Sequence, residues 1–287
     1  MVRKIISPET LKANLYELGV RKGDIVFIAA DLMRVGYHVG NREQTMDFWL
    51  DTLLDAVGTN GTLVIPSYTK SFPRWRQDHE CVFSPHSKTT SGVLSEAFSN
   101  HSEVLRSRHP TNSCFAIGPE AKFILQDHDE KAPSYLPYQR IISLGGKNLM
   151  LGAVSDEKLA PMAIHAAQEY LGITRKNWKS SLVQSLYIND QNENKLFTRH
   201  DVGGSSSLGY KSLGHHLVSR AINIGKVGRD WAAYIDCKKS FQLICEIYKQ
   251  QPNLLKCDDR SCRDCFGSPP LRKPIFWAKD IISRIWT

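Results

Sequence analysis

Two groups of side chains in this sequence combine residue types that can do chemistry. The first is the segment Arg106-Ser-Arg-His-Pro-Thr-Asn-Ser113, which gathers two guanidinium groups, an imidazole and hydroxyls around a proline. The second is His165, in a run of helical character with Gln168 and Glu169 within about one turn. Guanidinium and hydroxyl donors suit phosphate oxygens, and a histidine beside a polar partner can move a proton near neutral pH. Together they predict an enzyme that binds an anionic, phosphate-bearing cofactor.

Each group also has a plainer interpretation. A loop of this composition can be a solvated connection in which His109 caps the next element. A single helical histidine is often a half-buried side chain with no chemical task. The position of His165 after a predicted buried strand favours the functional interpretation, because ligand sites in α/β proteins lie beyond the carboxyl ends of strands.

The elements that would position these residues alternate between helices and buried strands. Short apolar runs bounded by turns are typical of strands covered on both faces. The order predicts a three-layer α/β/α sandwich around a mixed, largely parallel sheet with right-handed crossovers. The predicted helices cover 9–19, 44–57, 91–100, 119–126 and 160–171, and the predicted strands cover 25–30, 61–66, 114–118 and 145–152.

Two predicted loops and a less regular second half complete the chain. Residues 67–90 are aromatic and polar without a period, which favours a loop that lines a substrate cleft, and 127–139 is a second loop. We expect a single domain over 1–287, with a core at 1–175 and an antiparallel and helical annex at 176–287. In the annex we predict strands within 182–200 and at 232–237, a flexible loop at 203–209, and helices at 213–224 and 239–249.

Composition and charge exclude several classes of protein. The formal net charge of +8 attracts anions, but the charges are scattered, which favours a phosphorylated small molecule over nucleic acid. No apolar segment approaches the roughly 18 residues of a membrane span, and the amino terminus lacks a signal-peptide apolar region. With an odd number of cysteines, seven, these features predict a cytoplasmic protein without a disulfide framework.

Two further motifs predict no chemistry of their own. Cys257, Cys262 and Cys265 have a spacing like that of iron–sulfur or zinc ligands, but a fourth ligand would require Cys237 or Cys245 to fold back. We therefore expect no metal. The segment Gly203-Gly-Ser-Ser-Ser-Leu-Gly209 matches neither a phosphate-binding loop nor a nucleophile elbow.

Four segments in this order resemble the aminoglycoside 3-N-acetyltransferase family, which is unrelated to the common GNAT fold. They are Leu18–Ile28, Asp55–Pro66, the pair Ser91–Glu96 and Arg106–Gly118, and Gly145–Gly152 followed by His165. The resemblance covers about residues 9–170. It implies transfer of an acetyl group from acetyl-CoA, the cosubstrate, to a primary amine of an amino sugar.

The resemblance also implies roles for individual residues. His165 would be the base, oriented by Gln168 or Glu169, and Ser113 or loop N–H groups would stabilise the oxyanion. Contacts to coenzyme A are expected from Arg106, Ser107, Arg108, His109, Ala30 and Asp31, and contacts to the amine substrate from Asp31, Tyr68 and Glu96.

The chain departs from the family pattern at two places. After the first strand it reads Ala29-Ala-Asp-Leu32, where the family usually has His-Ser-Ser-Leu or His-Ser-Asp-Leu. On the helix, Gln168 stands three residues after His165, where the family has glutamate. An amide can orient an imidazole but cannot stabilise its cation as a carboxylate does.

Three functions remain open from the sequence. The net charge of +8, with only Asp78 and Glu80 as carboxylates in 67–90, favours a nucleotide-linked amino sugar of cell-surface polysaccharide synthesis as the acceptor. The alternative acceptor is an aminoglycoside antibiotic, which would make the chain a resistance enzyme. A third alternative is a degenerate member that binds coenzyme A or a sugar without catalysis. The sequence does not decide the oligomeric state, and a homodimer is one of the alternatives.

Overall fold

The computed structural model describes residues 6–36, 41–152, 154, 161–172, 183–198, 216–217, 220–251 and 253–254. The helices in these ranges are α1 (Pro8–Leu18), α2 (Leu32–Val35), α3 (Arg42–Val57), α4 (Val93–Asn100), α5 (Ala121–Leu125), α6 (Leu136–Ser143), α7 (Ala163–Tyr170) and α8 (Cys237–Gln250). The strands are β1 (Ile25–Ala30), β2 (Thr62–Pro66), β3 (Phe72–Pro73), β4 (Val82–Phe83), β5 (Leu105–Arg106), β6 (Cys114–Ile117), β7 (Lys147–Leu151), β8 (Val183–Ile188), β9 (Asn194–Thr198), β10 (Ile222–Val227) and β11 (Asp230–Asp236).

Seven strands form the main sheet, in the order β10-β11-β7-β1-β2-β6-β5. The three central strands, β7, β1 and β2, run parallel, and every pairing outside them is antiparallel. The predicted α/β class with a mixed sheet is therefore confirmed, with the parallel part confined to the centre. Strands β10 and β11, from the region expected to form an annex, extend this sheet beside β7.

A hydrophobic layer lies on each face of the sheet because successive strand residues point to opposite sides. Alternate residues of β1 divide in this way: Val26 and Ile28 pack on one face, and Phe27 packs on the other. The first face is covered by α1, α3 and α4 through Leu15, Trp49 and Phe98; the second is covered by α5 to α8 through Ile124, Ile141, Ile164 and Ile244.

Local sequence explains where the first helix begins and ends. The Ser7 side chain accepts a hydrogen bond from the Thr10 N–H, so it caps the amino terminus of α1. Gly19 ends the helix at a φ of +118°, in the left-handed region that favours glycine. Both boundaries agree with the prediction of a helix at 9–19.

A second, smaller sheet was not predicted in full. Strands β3 and β4, from the segment expected to be a loop without strands, both pair with β8, and β9 pairs with β8 across 184–188. Since a strand has two edges, β3 and β4 share one edge of β8 and β9 takes the other. The prediction of antiparallel strands within 182–200 is confirmed by β8 and β9.

Two other predictions were wrong in part. Residues 136–139 belong to α6 rather than to a loop, because Pro137 lies in the first turn, where a helix does not need its N–H. Residues 222–224 belong to strand β10 rather than to a helix. The predicted loop at 203–209 and Cys257, Cys262 and Cys265 lie outside the described residues. In the part of the chain that the structure describes, no helix is long and apolar enough to cross a membrane.

Candidate active site

His165 lies on α7 and is half-buried. Its Nδ1 is 3.2 Å from Gln168 Oε1. Because an amide oxygen only accepts hydrogen bonds, this contact requires the proton on Nδ1 and leaves the lone pair of the neutral imidazole on Nε2. Gln168 is fully buried, and its Nε2 donates to Tyr248 Oη on α8 at 2.8 Å. The side chain three residues after His165 therefore orients the imidazole in the tautomer of a proton acceptor.

Glu169 has a different task. Its Oε1 accepts from the Tyr135 N–H at 3.1 Å, and its Oε2 accepts from Gln139 Nε2 at 2.9 Å. Both contacts tie α7 to the first turn of α6. Of the two partners left open for the His165 Nδ1, the geometry selects Gln168.

A row of aromatic side chains connects His165 with the end of β2. The Tyr135 ring stacks on the imidazole, with centroids 4.5 Å apart and planes 9° apart. Tyr135 also contacts Tyr138, whose hydroxyl lies 2.9 Å from the hydroxyl of Tyr68, two residues after β2. Burial, together with the Tyr68 hydroxyl, raises the pKa of Tyr138 well above its ordinary value, so this phenol stays protonated. The structure thus brings the predicted substrate contact Tyr68 into the same row as His165.

Asn148 holds α7 in place on the sheet. It is a buried amide in strand β7, followed there by three buried apolar residues. Its Nδ2 donates to the Phe27 carbonyl at 3.1 Å, and its Oδ1 accepts from the Met162 N–H at 3.0 Å. At the end of β7, Gly152 has a φ of +65°, and a Cβ there would lie 2.7 Å from the Asp31 carbonyl oxygen. Glycine is therefore required where the chain leaves the strand.

Arg106 anchors the 67–90 segment. Its guanidinium donates to the carbonyl oxygens of Ser67 at 2.7 Å, Pro85 at 3.2 Å and Ser87, and its Nε donates to Ser113 Oγ at 3.3 Å. The cation also lies 5.1 Å from the ring centroid of Phe83 and 4.7 Å from that of Phe115. Burial lowers the pKa of Arg106 to about 10, so the group remains charged at neutral pH. These contacts give Arg106 a structural role, and its expected contact with coenzyme A stays a prediction.

Ser107 and Ser113 are likewise occupied within the protein. Ser107 Oγ accepts from the Cys114 N–H at 2.9 Å and lies 2.9 Å from His128 Nδ1. Ser113 is fully buried, and its hydroxyl donates to the Ser67 carbonyl at 2.7 Å. The Ser113 hydroxyl therefore already donates its proton within the protein, and its expected role as an oxyanion donor stays a prediction.

His109 organises the turn that follows it. Its Nδ1 accepts from the Asn112 N–H at 3.0 Å, so Nε2 carries the proton and faces Ser134 Oγ at 3.4 Å. The ring stacks on His128, with centroids 4.9 Å apart. The expected contact of this buried imidazole with coenzyme A stays a prediction. Ser134 precedes Tyr135, so the loop and His165 are joined through one short segment.

Arg108 is a predicted cofactor contact whose side chain reaches solvent. The side chain is 46% exposed and pairs with Asp190, in the turn between β8 and β9. It borders a cavity of about 360 Å³ between β5 and α5, together with Lys122 and Gln126. Arg106 also borders this cavity, so three cations line it, together with the carboxylates of Asp127 and Asp129.

The remaining predicted site residues lie at strand ends or on the surface. Asp31 directly follows Ala30 at the end of β1; its carboxylate is 3.6 Å from Arg34 Nε, and its N–H donates to the Leu151 carbonyl at 2.8 Å. Glu96 on α4 pairs with Arg42 of α3 at 2.6 Å. Both carboxylates thus have an arginine partner.

The sequence reasoning missed Tyr135, Tyr138, Asn148 and Tyr248. A polar residue next to an apolar run in a predicted strand indicates a buried side chain with hydrogen-bond partners, so Asn148 could have been predicted from the sequence. The tyrosines gave no comparable signal, since their contacts join distant segments. Among the described residues, no group of three or more His, Cys, Asp or Glu side chains could hold a metal ion.

Comparison with known sequences identifies relatives. Aminoglycoside N(3)-acetyltransferase IX of Micromonospora chalcea is 28% identical over 203 residues, which cover 65% of this chain and 69% of that protein. Aminoglycoside N(3)-acetyltransferase VIII of Streptomyces fradiae is 32% identical over 163 residues. This second match covers 51% of the chain and 56% of the relative, little more than half of either.

Comparison with solved structures supports the same fold. AAC-IIIb in a binary complex with CoASH gives a TM-score of 0.68 at 21% identity, covering 93% of this chain and 100% of that one. AAC-VIa bound to sisomicin gives a TM-score of 0.69 at 21% identity, covering 86% of this chain and 99% of that one. The sequence profile described as aminoglycoside 3-N-acetyltransferase matches residues 27–249 of the 287. Because this match spans most of the chain, the protein belongs to the aminoglycoside 3-N-acetyltransferase family.

Proposed function

We propose that His165 is the general base of an acetyl transfer from acetyl-CoA to a primary amine of an amino sugar. As a member of its family, the chain is an acetyl-CoA-dependent N-acetyltransferase. The observation that carries the proposal for His165 is its contact with Gln168 Oε1, which places the proton on Nδ1 and the lone pair on Nε2. A histidine in the opposite tautomer would present an N–H to the amine and could not accept its proton.

His165 acts on the proton of the acceptor. Acetyl-CoA supplies the acetyl group as an activated thioester. Nε2 accepts a proton from the amine as its nitrogen bonds to the acetyl carbon, and the imidazolium returns this proton to the sulfur as the carbon–sulfur bond breaks. Throughout, Nδ1–H stays bonded to Gln168. The products are the N-acetyl amine and the free thiol, so no other reactant is needed.

Arg108 and Lys122 are the residues we propose for the phosphates of acetyl-CoA. Both border the cavity of about 360 Å³ between β5 and α5. Guanidinium and ammonium groups are the usual protein partners of phosphate. Arg106, Ser107 and His109 contribute indirectly, because their buried hydrogen bonds fix the loop from which Arg108 projects.

For the acceptor, the charge around the candidate site favours an amino sugar that also carries an anionic group, such as a nucleotide-linked one for cell-surface polysaccharide. Segment 67–90 holds four lysines and arginines against two carboxylates, and Arg74 and Arg76 flank the exposed Trp75. Asp31 and Glu96, which would attract a polycation, each pair with an arginine. The second candidate, an aminoglycoside antibiotic, is favoured by the names of the relatives, which are aminoglycoside N(3)-acetyltransferases.

Replacing His165 with alanine tests the proposed base. We expect thiol release at saturating acetyl-CoA to fall by about 10²- to 10⁴-fold, because proton transfer by a positioned group contributes this much. Binding of coenzyme A, measured by calorimetry, should remain close to that of the unaltered chain. Near-normal turnover by His165→Ala would remove His165 from the mechanism.

A panel of amines at saturating acetyl-CoA tests the acceptor. We expect a higher kcat/KM with a nucleoside-diphosphate-linked amino sugar than with a gentamicin-like aminoglycoside. The reverse order would make the antibiotic the acceptor. Binding of coenzyme A without thiol release for any amine would favour the degenerate, non-catalytic alternative.

A further inference from the structure

We propose that Trp75, with Arg74 and Arg76 on either side of it, binds the nucleoside diphosphate of a nucleotide-linked amino sugar. The indole stacks on the nucleobase, and the two guanidinium groups pair with the diphosphate. The inference rests on the proposed acceptor class. It assigns the residues that recognise the part of the acceptor away from the reacting amine.

Trp75 lies at the corner of a closed β-turn. The Arg76 N–H donates to the Pro73 carbonyl at 2.8 Å, which places Arg74 and Trp75 at the two central positions of the turn. Directly before the turn, Phe72 is buried and β3 pairs with β8. The turn is therefore anchored where it begins, and its corner projects into solvent from a fixed position.

The residues at this corner differ from those that a turn favours. Gly, Pro, Asn, Asp and Ser dominate turns because they adopt the required conformations or bond to the backbone. Here the turn exposes 74% of Trp75, the single exposed large apolar side chain in 67–90, a segment that the structure describes completely. The side chains of Arg74, Trp75 and Arg76 make no hydrogen bond, ion pair or ring contact with the residues that the structure describes. Residues that oppose a local preference in this way are typical of functional sites.

The 67–90 segment begins and ends beside the candidate active site. The Tyr68 N–H donates to Ser91 Oγ at 2.7 Å, and the Thr90 N–H donates to the Tyr68 carbonyl at 2.7 Å. Tyr68 follows β2, and the parallel strands β2, β1 and β7 end at the same edge of the sheet, from which the chain continues to His165. The turn therefore belongs to a segment held at the edge where we propose the acetyl transfer.

A nucleoside diphosphate matches these three side chains in shape and charge. Stacking on an indole suits any nucleobase, because every base has a π-face. The planar donors of Arg74 and Arg76 suit phosphate oxygens, and the 67–90 segment holds four lysines and arginines against two carboxylates. A polycationic aminoglycoside would be repelled by both arginines and would have no base to stack on Trp75.

An anionic lipid surface is the other partner that an exposed tryptophan between arginines could contact. A helix or segment that lies in a membrane surface presents a wide apolar face, whereas Trp75 is a single apolar side chain. Asp78 and Glu80 follow it and are exposed, so they would repel anionic head groups. These observations favour the nucleotide over the membrane.

Calorimetric titration with UDP tests the site, with coenzyme A at saturation so that the cofactor does not compete. We expect Trp75→Leu to weaken UDP binding about 5- to 150-fold, the loss of one stacked base, and Trp75→Phe, which keeps a ring, to weaken it less. Arg74→Gln and Arg76→Gln should each weaken it about twofold to fivefold, the effect of an exposed ion pair. Lys238→Gln, which removes an exposed charge at the start of α8, is the matched control and should leave it unchanged.

Two results of this titration would overturn the inference. One is UDP binding that Trp75→Leu leaves unchanged. The other is the absence of UDP binding together with Trp75-dependent binding to phosphatidylglycerol vesicles, which would assign the turn to a lipid surface. Because Trp75 is exposed, its replacement leaves the hydrophobic core intact, so a loss of binding is not a loss of folding.

Kinetics separate this inference from the proposed function. With a UDP-linked amino sugar, we expect Trp75→Leu to raise KM by the factor seen for UDP, with kcat within about twofold and with kcat/KM for the free amino sugar unchanged. An unchanged KM in Trp75→Leu would leave the proposed reaction in place and overturn the role of Trp75. Trp75-dependent UDP binding without acetylation of any amine would support the nucleotide site and refute the proposed reaction.

Discussion

Replacing Arg106 with lysine separates two roles for this side chain, contact with coenzyme A and anchoring of the 67–90 segment. The change keeps the positive charge but removes the planar set of donors. The guanidinium serves four acceptors, which are the carbonyl oxygens of Ser67, Pro85 and Ser87 and the hydroxyl of Ser113. A single ammonium group at the end of a flexible chain can serve about two of them.

The expected loss of stability follows from these contacts. A hydrogen bond from a charged group contributes about 1.5–3 kcal/mol, so losing two of the four lowers the free energy of unfolding by about 3–6 kcal/mol. The measurement is urea denaturation at pH 7, followed by circular dichroism. Arg108→Lys is the matched control, because its 46% exposed side chain makes one surface ion pair and should change the free energy of unfolding by less than about 1 kcal/mol.

The two roles give opposite results. If Arg106 anchors the segment, Arg106→Lys loses stability, while KM for acetyl-CoA, measured under conditions where the variant is folded, stays within about threefold. If Arg106 binds a phosphate, KM for acetyl-CoA rises about tenfold or more and stability is retained. The second outcome would refute the structural role derived from its buried hydrogen bonds.

Two further predictions concern buried polar side chains. Burial lowers the pKa of His128 from 6.5 to about 2. Below pH 6.5 the unfolded chain therefore binds a proton that the folded chain does not, and the free energy of unfolding decreases as the pH is lowered. Between pH 7 and pH 4.5 this lowers the free energy of unfolding by about 2.5 kcal/mol. In urea denaturation at the two pH values, the decrease for His128→Asn should be smaller than that for the natural chain by this amount. Equal decreases in the two proteins would contradict the burial argument. Asn148→Ala should lower the free energy of unfolding by about 2–4 kcal/mol, because the Met162 N–H and the Phe27 carbonyl lose their partner, and should also lower kcat. Unchanged stability of this variant would show that α7 does not depend on Asn148.

Sequence patterns predicted the layers well because they depend on local periodicity. The strands at 25–30, 61–66 and 145–152 are apolar runs bounded by turn residues, and their apolar composition follows directly from burial on both faces. The sequence does not predict helix α6 over 136–139, because proline is common in loops as well as in the first turn of a helix, where Pro137 lies.

In the candidate site, contacts within one helix were predictable from the sequence, and contacts between distant segments were not. His165 and Gln168 lie three residues apart on one helix, so helical geometry alone brings them into contact. The Arg106–Ser113 loop could not be interpreted in this way. Its polar side chains bond to backbone groups up to 46 positions away, and no local pattern distinguishes such a partner from a phosphate.

The small sheet sets an order in which the protein can be completed during synthesis. Strands β3 and β4 end by residue 83, yet their partner β8 begins only at residue 183. A ribosome adds about 5–20 residues per second, so β3 and β4 wait for several seconds before any pairing within this sheet can begin. Closing such a long loop is unfavourable in entropy, which makes this unit a candidate for the last to form and the first to open. Hydrogen exchange at β3 and β4 should therefore be faster than in the central strands, and a nascent chain shorter than about 190 residues should leave this segment open to proteolysis.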